Sequence, residues 1–199
     1  MCGICGIAYA DPQRTPPPGV LEAMTAALAH RGPDASGTCH ASGVSLGHRR
    51  LSVIDLDTGR QPMENAARGV HLVFNGEIYN YTMLRDELRA GGAVLQTGSD
   101  TEVILQGYLA WGLDRLLDRM VGMFAFALWD EPHRSLFLVR DRLGVKPLYW
   151  TTDGRGSLFF ASEMGAFRAL PEPPSSLNRR AALQYFSTGY VMGEESILR

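Results

Sequence analysis

The sequence predicts an α+β fold in which strands and helices come in clusters. Strand patterns gather over 44–74 and again over 123–161, and helix patterns gather over 80–108 between them. Strict alternation of the two would instead indicate a doubly wound parallel sheet. The chain has 199 residues, of which 45% are hydrophobic, so it is long enough to bury the core of one globular domain.

The first half of the chain carries three strand patterns and one helix pattern. The strands are expected over 3–9, 44–54 and 70–74, and an amphipathic helix is expected over 20–28. Asp11-Pro12 ends the first strand, which therefore starts almost at the first residue. The Asn75-Gly76-Glu77 segment predicts a turn at the end of the third strand.

The second half of the chain begins with two predicted helices and continues with strands. Asn80 is expected to cap one helix, and Ser99 forms a capping-box pattern with Glu102, which places Asp100 in the first turn of the next. Strands are expected over 123–129, 136–139, 148–149 and 158–161, a linker over 171–176, and a short helix over 179–189.

Composition and charge exclude several classes of function. The net charge is -2, and no Lys/Arg cluster is dense enough to bind a phosphate backbone, so a nucleic-acid partner is not expected. The longest apolar run, Val121–Trp129, is too short to cross a bilayer, and no secretory signal precedes it, which predicts a cytoplasmic protein without a membrane partner. Three cysteines in such a chain do not indicate a disulfide framework.

Cys2 follows the initiator methionine, and a side chain this small normally allows an aminopeptidase to remove Met1. The cysteine would then carry a free α-amine, whose pKa of roughly 7.7–8.0 lets it accept the thiol proton near neutral pH. One residue would supply both nucleophile and base. From position alone, however, an ordinary small apolar cysteine near a chain end is the more common case.

Several segments favour a catalytic Cys2 over an ordinary one because they occur together and in a fixed order. They are MCGICGI at 1–7, HRGPDASG at 30–37, LGHRRLSVIDL at 46–56, QPM at 61–63, FNGEIYN at 74–80, GSDTE at 98–102, GMFAFALWD at 122–130, RDRLGVKPLYW at 140–150 and FASE at 160–163. The series resembles the N-terminal-nucleophile glutamine amidotransferases of the asparagine synthetase type, over roughly the first 165 residues.

The resemblance implies a four-layer αββα sandwich of two antiparallel sheets and hydrolysis of the glutamine side-chain amide through a thioester on Cys2. It assigns catalytic roles to Asn75 and Gly76, whose side-chain amide and backbone N–H would stabilise the oxyanion. The residues that it implies for binding glutamine are Arg50 for the α-carboxylate, Glu77 and Asp100 for the α-amino group, and backbone groups of Val53 and Gly76, with Asn75 beside them.

The resemblance also implies a second domain. Residues 1–170 would form the glutaminase domain, and 171–199 the linker and the start of a synthetase domain that amidates an aspartate-like carboxylate. The Ser-Gly-Gly-x-Asp-Ser loop of that domain does not occur in these residues, so ATP and magnesium are expected only in the missing domain and no cofactor is expected in this chain. Family precedent adds a homodimer as an expectation.

Alternatives stay open at this point. The acceptor could be a natural-product carboxylate, or the chain could bind glutamine without turnover. Cys2-x-x-Cys5 invites a metal or redox interpretation, but Cys39-His40 is a weak second pair, so no metal site is predicted. His48 is expected to be structural, the 31–34 segment to shape a loop, and the 140–147 segment to form a structural turn or to contact a second domain.

Overall fold

The structure is a computed structural model that describes residues 1–52, 55, 58–193 and 195–198. The strands of this part are β1 (Gly3–Tyr9), β2 (Ala35–Ala41), β3 (Val44–Arg50), β4 (Met63–Asn65), β5 (Val70–Ile78), β6 (Gly122–Asp130), β7 (Ser135–Arg140), β8 (Tyr149–Thr152) and β9 (Ser157–Ala161). They form two antiparallel sheets. The first sheet has the order β2-β3-β1-β9-β8, and the second has the order β4-β5-β6-β7.

Helices cover the outer face of each sheet. They are α1 (Val20–Ala27), α2 (Tyr81–Ala90), α3 (Asp100–Trp111), α4 (Leu113–Arg119) and a 3-10 segment at Met164–Ala169. Helix α5 (Arg179–Thr188) follows these elements along the chain, and a further 3-10 turn spans Ala66–Arg68. Helix α1 and the 3-10 segment pack on the first sheet, whereas α2, α3 and α4 pack on the second. Within the described part of the chain, each helix falls short of the length and apolarity that crossing a bilayer requires.

A third core lies between the two sheets. It contains Ile4, Leu46, Val73, Ala127 and Phe160, which come from strands of both sheets. Because side chains alternate along a strand, each central strand buries one set of residues against helices and the other set against the opposite sheet. The layers are therefore helix, sheet, sheet and helix, and the predicted αββα sandwich is confirmed.

The turn predicted at Asn75-Gly76-Glu77 is wrong. All three residues lie inside β5 and pair with β6, where Gly76 stands opposite Phe124. Asn-Gly is a strong turn signal in isolation, but pairing with a buried neighbouring strand overrides it here. Glycine is required at position 76 for another reason: a Cβ atom there would lie 2.4 Å from the carbonyl oxygen of Met123.

Other differences concern elements with weak sequence patterns. Strand β2 and the short β4 lie at the edges of their sheets and alternate between half-buried and exposed positions, so neither carries an apolar run. Helix α4 follows α3 after a single glycine, Gly112, and was also not predicted. The strand expected over 44–54 ends at Arg50 in the structure, and Val53 and Ile54 lie outside the described residues.

Substituting Gly6 by alanine should destabilise the fold, because the new Cβ would lie 2.5 Å from the ring of Phe160 and 2.8 Å from the carbonyl oxygen of Ser45. We expect a loss of about 1–3 kcal/mol in the free energy of unfolding, measured by urea denaturation. Gly165→Ala is the matched control, since no atom lies within 4 Å of the position of its Cβ. Equal stability of the two variants would contradict the packing described between the sheets.

Candidate active site

A cavity of about 220 Å³ opens between the two sheets at the start of β1. Its wall comes from the N-terminus, the end of β3 and the residues after it, the second half of β5, the start of β6, the first turn of α3 and the loop after β7. The lining residues include Cys2, Arg50, Leu51, Gln61, Asn75, Gly76, Glu77, Asp100, Thr101, Met123 and Lys146. The volume is below the ~300–1,000 Å³ typical of pockets for drug-sized ligands. The cavity therefore suits a molecule of amino-acid size.

Cys2 lies on the cavity wall directly before β1. Its Sγ accepts a hydrogen bond from the Leu51 backbone N–H at 3.4 Å and lies 3.6 Å from the Leu51 carbonyl oxygen, to which the thiol donates. Burial raises the pKa of the Cys2 thiol above its ordinary value, although the Leu51 hydrogen bond and the positive charges of the N-terminus and Arg50 oppose the rise. The thiol is thus protonated at neutral pH and needs a base to become a nucleophile.

Arg31 anchors the N-terminal residues. Its Nε donates to the carbonyl oxygen of Cys2 at 2.9 Å, and its Nη1 contacts Glu163 Oε1 at 2.8 Å. The guanidinium is itself buried, so this contact is shielded from solvent. The 31–34 segment was predicted only to shape a loop, but Arg31 also fixes the backbone of Cys2.

Asn75 presents a donor to the cavity. The residue is 1% exposed, and its Nδ2 has no hydrogen-bond partner among the described residues. A buried N–H group without a partner costs roughly 1–3 kcal/mol, so such groups are rare unless a ligand completes them. This amide is therefore poised to donate to a ligand oxygen in the cavity.

The backbone N–H of Gly76 points away from β6. Phe124, which faces Gly76 across the ladder, directs both its N–H and its carbonyl oxygen to Asp141 on the β7 side. In an antiparallel ladder the facing residue is then a non-hydrogen-bonded partner, and its own N–H points to the opposite edge. That edge of β5 borders the cavity.

Neighbouring N–H groups on the same edge of β5 donate hydrogen bonds to side chains outside the sheet. The N–H of Phe74 donates to Gln61 Oε1 at 2.6 Å, and the N–H of Ile78 donates to Asp100 Oδ2 at 3.1 Å. The N–H of Gly76 lies between them and has no partner among the described residues. Together with the Asn75 amide it makes a pair of donors on the wall that also holds Cys2.

Charged groups of both signs line the same cavity. Arg50 lies at the end of β3, and its guanidinium donates to the carbonyl oxygen of Asp55. The Asp55 carboxylate in turn accepts hydrogen bonds from Gly98 N–H at 2.7 Å and from the Thr58 side chain at 2.5 Å. Asp55 therefore connects the Arg50 guanidinium to Gly98, two residues before α3.

Asp100 and Glu77 supply the negative charges of the cavity. Asp100 is buried in the first turn of α3, where Ser99 Oγ caps the helix by accepting the Thr101 N–H at 3.1 Å. Burial raises the pKa of the Asp100 carboxyl, and the nearby Glu77 carboxylate adds to the rise. A cation bound between the two carboxylates would relieve this repulsion.

The structure brings most of the predicted site residues into one cavity. Cys2, Arg50, Asn75, Gly76, Glu77 and Asp100 all line it. Val53, predicted to contribute backbone groups, lies outside the described residues. Lys146, Gln61 and Met123 also line the cavity and were not predicted, although each belongs to one of the segments that carry the family resemblance.

Lys146 reaches the cavity because Asp141 organises the loop after β7. The Asp141 carboxylate accepts hydrogen bonds from four backbone N–H groups, those of Phe124, Leu143, Val145 and Lys146, at 2.9–3.2 Å. Burial alone would raise the pKa of the Asp141 carboxyl, but these hydrogen bonds outweigh it and lower the pKa. The segment 140–147 is thus a loop folded around one carboxylate.

His48 and Cys5 have structural environments. His48 donates through Nε2 to the Phe74 carbonyl oxygen at 3.1 Å, which links the two sheets, and burial lowers its pKa to about 4. Cys5 faces Thr25 of α1, and burial raises its thiol pKa to about 12. Residues three apart on an extended chain point to opposite faces, so Cys2 and Cys5 do not form a joint metal or redox site.

The layered fold and the cavity define a class: an enzyme-like domain with a cysteine beside paired N–H donors and a charge pattern that suits a free amino acid. A family model described as "Glutamine amidotransferase domain" matches residues 1–199. The chain belongs to this glutamine amidotransferase family.

Two relatives named as glutamine-hydrolysing asparagine synthetases are similar to this chain in sequence. The chain is 41% identical over 191 residues to asparagine synthetase (glutamine-hydrolysing) 3 of Bacillus subtilis, covering 95% of this chain and 31% of that protein. It is 45% identical over 139 residues to asparagine synthetase B (glutamine-hydrolysing) of Escherichia coli, covering 70% of this chain and 25% of that protein. The chain thus spans less than a third of the length of either relative.

A solved structure shares the fold. The glutamine phosphoribosylpyrophosphate amidotransferase of B. subtilis superposes with a TM-score of 0.69 at 22% identity, covering 84% of this chain and 43% of that one. At this identity the likeness concerns the fold alone.

Replacing Asp141 by asparagine should destabilise the protein by about 1–3 kcal/mol at pH 7, because an amide NH₂ would face backbone N–H donors. The folded-state pKa of Asp141 is lowered. Its stabilising contribution is therefore complete above the unfolded value of ~3.9 and is lost as the pH falls through the lower folded value. Urea denaturation from pH 7 to acid should show a constant difference between wild type and variant that shrinks below about pH 4. A difference that grew on acidification would contradict this.

Proposed function

We propose that this chain hydrolyses the side-chain amide of glutamine and releases ammonia, through a thioester on Cys2. The observation that carries the proposal is the buried Asn75 amide, which has no partner among the described residues and lies on the same cavity wall as the Cys2 thiol. Paired N–H donors beside a thiol suit the oxyanion of an amide under attack. Membership of the glutamine amidotransferase family agrees with this chemistry.

Glutamine would bind by its charged α-substituents. The Arg50 guanidinium pairs with the α-carboxylate, and the Glu77 and Asp100 carboxylates pair with the α-ammonium. The backbone of Gly76, and that of Val53, would complete the cradle. This leaves the side-chain amide directed towards Cys2 and the donors of β5. Supporting this orientation, the two carboxylates and the arginine line one cavity of amino-acid size.

In the first half-reaction the Cys2 thiol attacks the amide carbon, and its proton passes to the Cys2 α-amine that removal of Met1 exposes. The carbonyl oxygen becomes an oxyanion held by the Asn75 side chain and the Gly76 N–H. The intermediate then collapses as the carbon–nitrogen bond breaks, the α-ammonium returns the proton to the leaving nitrogen, and ammonia departs from a thioester.

In the second half-reaction water attacks the thioester carbon while the α-amine accepts a water proton. The same donors hold the second oxyanion. The carbon–sulfur bond then breaks, the α-ammonium reprotonates the sulfur, and glutamate leaves. Arg31 acts as a positioning residue in both halves, because it fixes the carbonyl of the residue that carries the thiol and the amine.

The ammonia would serve a synthetase domain that follows this one and amidates an aspartate-like carboxylate with ATP and magnesium. We place the glutaminase domain at 1–170 and the linker and start of the synthetase domain at 171–199. In support, the sandwich core extends to Leu170, whereas Leu183 and Phe186 of α5 are 68% and 84% exposed. The homodimer and the cytoplasmic location stay predictions.

Labelling should locate the nucleophile. The purified chain is treated with a glutamine-like diazo-ketone and its intact mass is recorded, followed by peptide mapping. We expect loss of Met1 and one adduct on Cys2, and no adduct or ammonia release in Cys2→Ala. Cys5 serves as an internal control, since its buried thiol should stay unlabelled. Ammonia release by Cys2→Ala would rule out the thioester route, and glutamine binding without labelling or release would indicate a silent binding module.

Asn75→Ala should lower kcat by about 10²–10³-fold with little change in KM, because the amide acts on the oxyanion more than on bound glutamine. Ammonia release at saturating glutamine is the measurement. Asn65→Ala is the matched control, because the Asn65 side chain accepts a hydrogen bond from Arg68 on the protein surface and does not line the cavity. A rise in KM alone would mean that Asn75 binds substrate without stabilising the oxyanion.

A further inference from the structure

A second cluster of reactive side chains lies at the edges of the two sheets, away from the cavity. Cys39 comes from β2, the edge strand of the first sheet, Glu64 from β4, the edge strand of the second, and His71 from β5. Glu64 and His71 are directly opposite in the β4–β5 ladder. None of the three lines the cavity that holds Cys2.

The three side chains converge on one point. His71 Nδ1 lies 3.4 Å from Cys39 Sγ and 3.2 Å from Glu64 Oε2, and the three atoms are all within 4.8 Å of one another. A ring nitrogen has one in-plane lone pair or one hydrogen, so hydrogen bonding through Nδ1 serves one of these partners well and not both. A cation bound between them would accept a lone pair from the sulfur, the carboxylate oxygen and the ring nitrogen at once.

The separations match those between ligands of a single small ion. With typical zinc distances of about 2.3 Å to sulfur and about 2.0–2.1 Å to nitrogen and oxygen, tetrahedral geometry puts sulfur roughly 3.6 Å from nitrogen and nitrogen roughly 3.3 Å from oxygen. The observed 3.4 Å and 3.2 Å differ from these values by about 0.2 Å or less. Both separations from His71 Nδ1 therefore already suit a shared ion.

The surroundings have the charge and support that such a site needs. His71 is buried, and its other nitrogen, Nε2, lies 3.7 Å from Glu131 Oε2. The Glu131 carboxylate adds negative charge beside the ring, which favours a cation bound at the other ring nitrogen. Burial raises the pKa of the Cys39 thiol, and the Glu64 and Glu131 carboxylates add to the rise; a divalent cation would reverse their effect. Glu64 is half exposed, which leaves a route for the ion and for a water ligand.

We propose that Cys39, Glu64 and His71 form a binding site for a thiophilic divalent cation, for which Zn²⁺ fits best, with Glu131 supporting His71. Thiolate, imidazole and carboxylate are together the donor set of zinc. Binding displaces the Cys39 thiol proton and joins the edge strand of one sheet to two strands of the other. The site is structural and independent of the proposed glutaminase reaction.

No metal site was predicted from the sequence, in which His40 is the histidine next to Cys39. On β2 these neighbours point to opposite faces, and His40 instead contacts Ser45 at 2.9 Å. The histidine that meets Cys39 lies 32 residues further along the chain, on the other sheet. Sequence spacing cannot show a contact of that kind.

Cobalt(II) and zinc titrations of the metal-free, Cys2→Ala chain test the site, with Cys2→Ala removing the thiol in the glutaminase cavity. We expect one Co²⁺ per chain, bound with release of the Cys39 thiol proton and with a thiolate-to-cobalt charge-transfer band in the near ultraviolet, and displacement of the cobalt by Zn²⁺. Calorimetry in buffers of different ionisation enthalpy measures that proton. Cys39→Ala should abolish the band, and Glu64→Gln and Glu131→Gln should each weaken binding by about 10–100-fold.

His40→Gln is the matched control, because it removes the adjacent histidine of β2 and should leave the titration unchanged. Zinc should also raise the Tm of the parent chain and not that of Cys39→Ala. Glu64 is half exposed, so Glu64→Gln keeps the test valid if Cys39→Ala folds poorly. Absence of the charge-transfer band, or binding that Cys39→Ala and Glu64→Gln leave unchanged, would overturn the proposal. A site that His40→Gln removes would do the same.

Discussion

The chain begins in the middle of a sheet, and the arrangement of the candidate site depends on that placement. From Gly3 onward β1 pairs with β3 on one side, and from Cys5 onward it pairs with β9 on the other. Ser162 adds two hydrogen bonds to Ile4 at 2.8 and 3.0 Å, so the strand is held at the same point from both neighbours. A terminus normally frays. Here the residue before β1 is fixed by hydrogen bonds to Arg31 and Leu51.

Strand β5 directs the Asn75 side chain into the cavity because side chains alternate along a strand. Leu72, Phe74 and Ile78 pack against helices, whereas Val73 packs against the first sheet. Asn75 lies on the same face of β5 as Val73 and presents its amide to the cavity. A shift of one residue in the β5–β6 pairing would exchange the two sets. The core that stabilises the sandwich therefore also sets the direction of the proposed oxyanion donor.

Sequence patterns were informative where burial is strong and local. The strands predicted over 3–9 and 123–129 match β1 and β6 to within one residue at each end, and the Ser99 cap placed Asp100 correctly at the start of α3. The site residues followed from the family resemblance, because exposed and buried carboxylates or arginines have no distinguishing local pattern. These residues were therefore predicted from segments that match the family and not from hydrophobic periodicity.

Local sequence patterns could not predict contacts between residues that are far apart in the chain. The hydrogen bond from Arg31 to the Cys2 carbonyl, the loop folded around Asp141 and the meeting of Cys39 with His71 each join residues of different elements. The turn expected at Gly76 failed for a related reason, since only the neighbouring backbone of Met123 reveals why glycine is needed there. Local propensity describes a segment alone, and these features belong to pairs of segments.

The regular spacing of residues along β5 fixes the distance between His71 and the cavity. His71 and Asn75 lie on one face of the strand and are four residues apart, which corresponds to about 13 Å. A paramagnetic ion bound at His71 would therefore sit at a fixed, known distance from the cavity, with a rigid strand between them. Nuclear relaxation induced by that ion would report distances to a bound amino acid without any label attached to the protein.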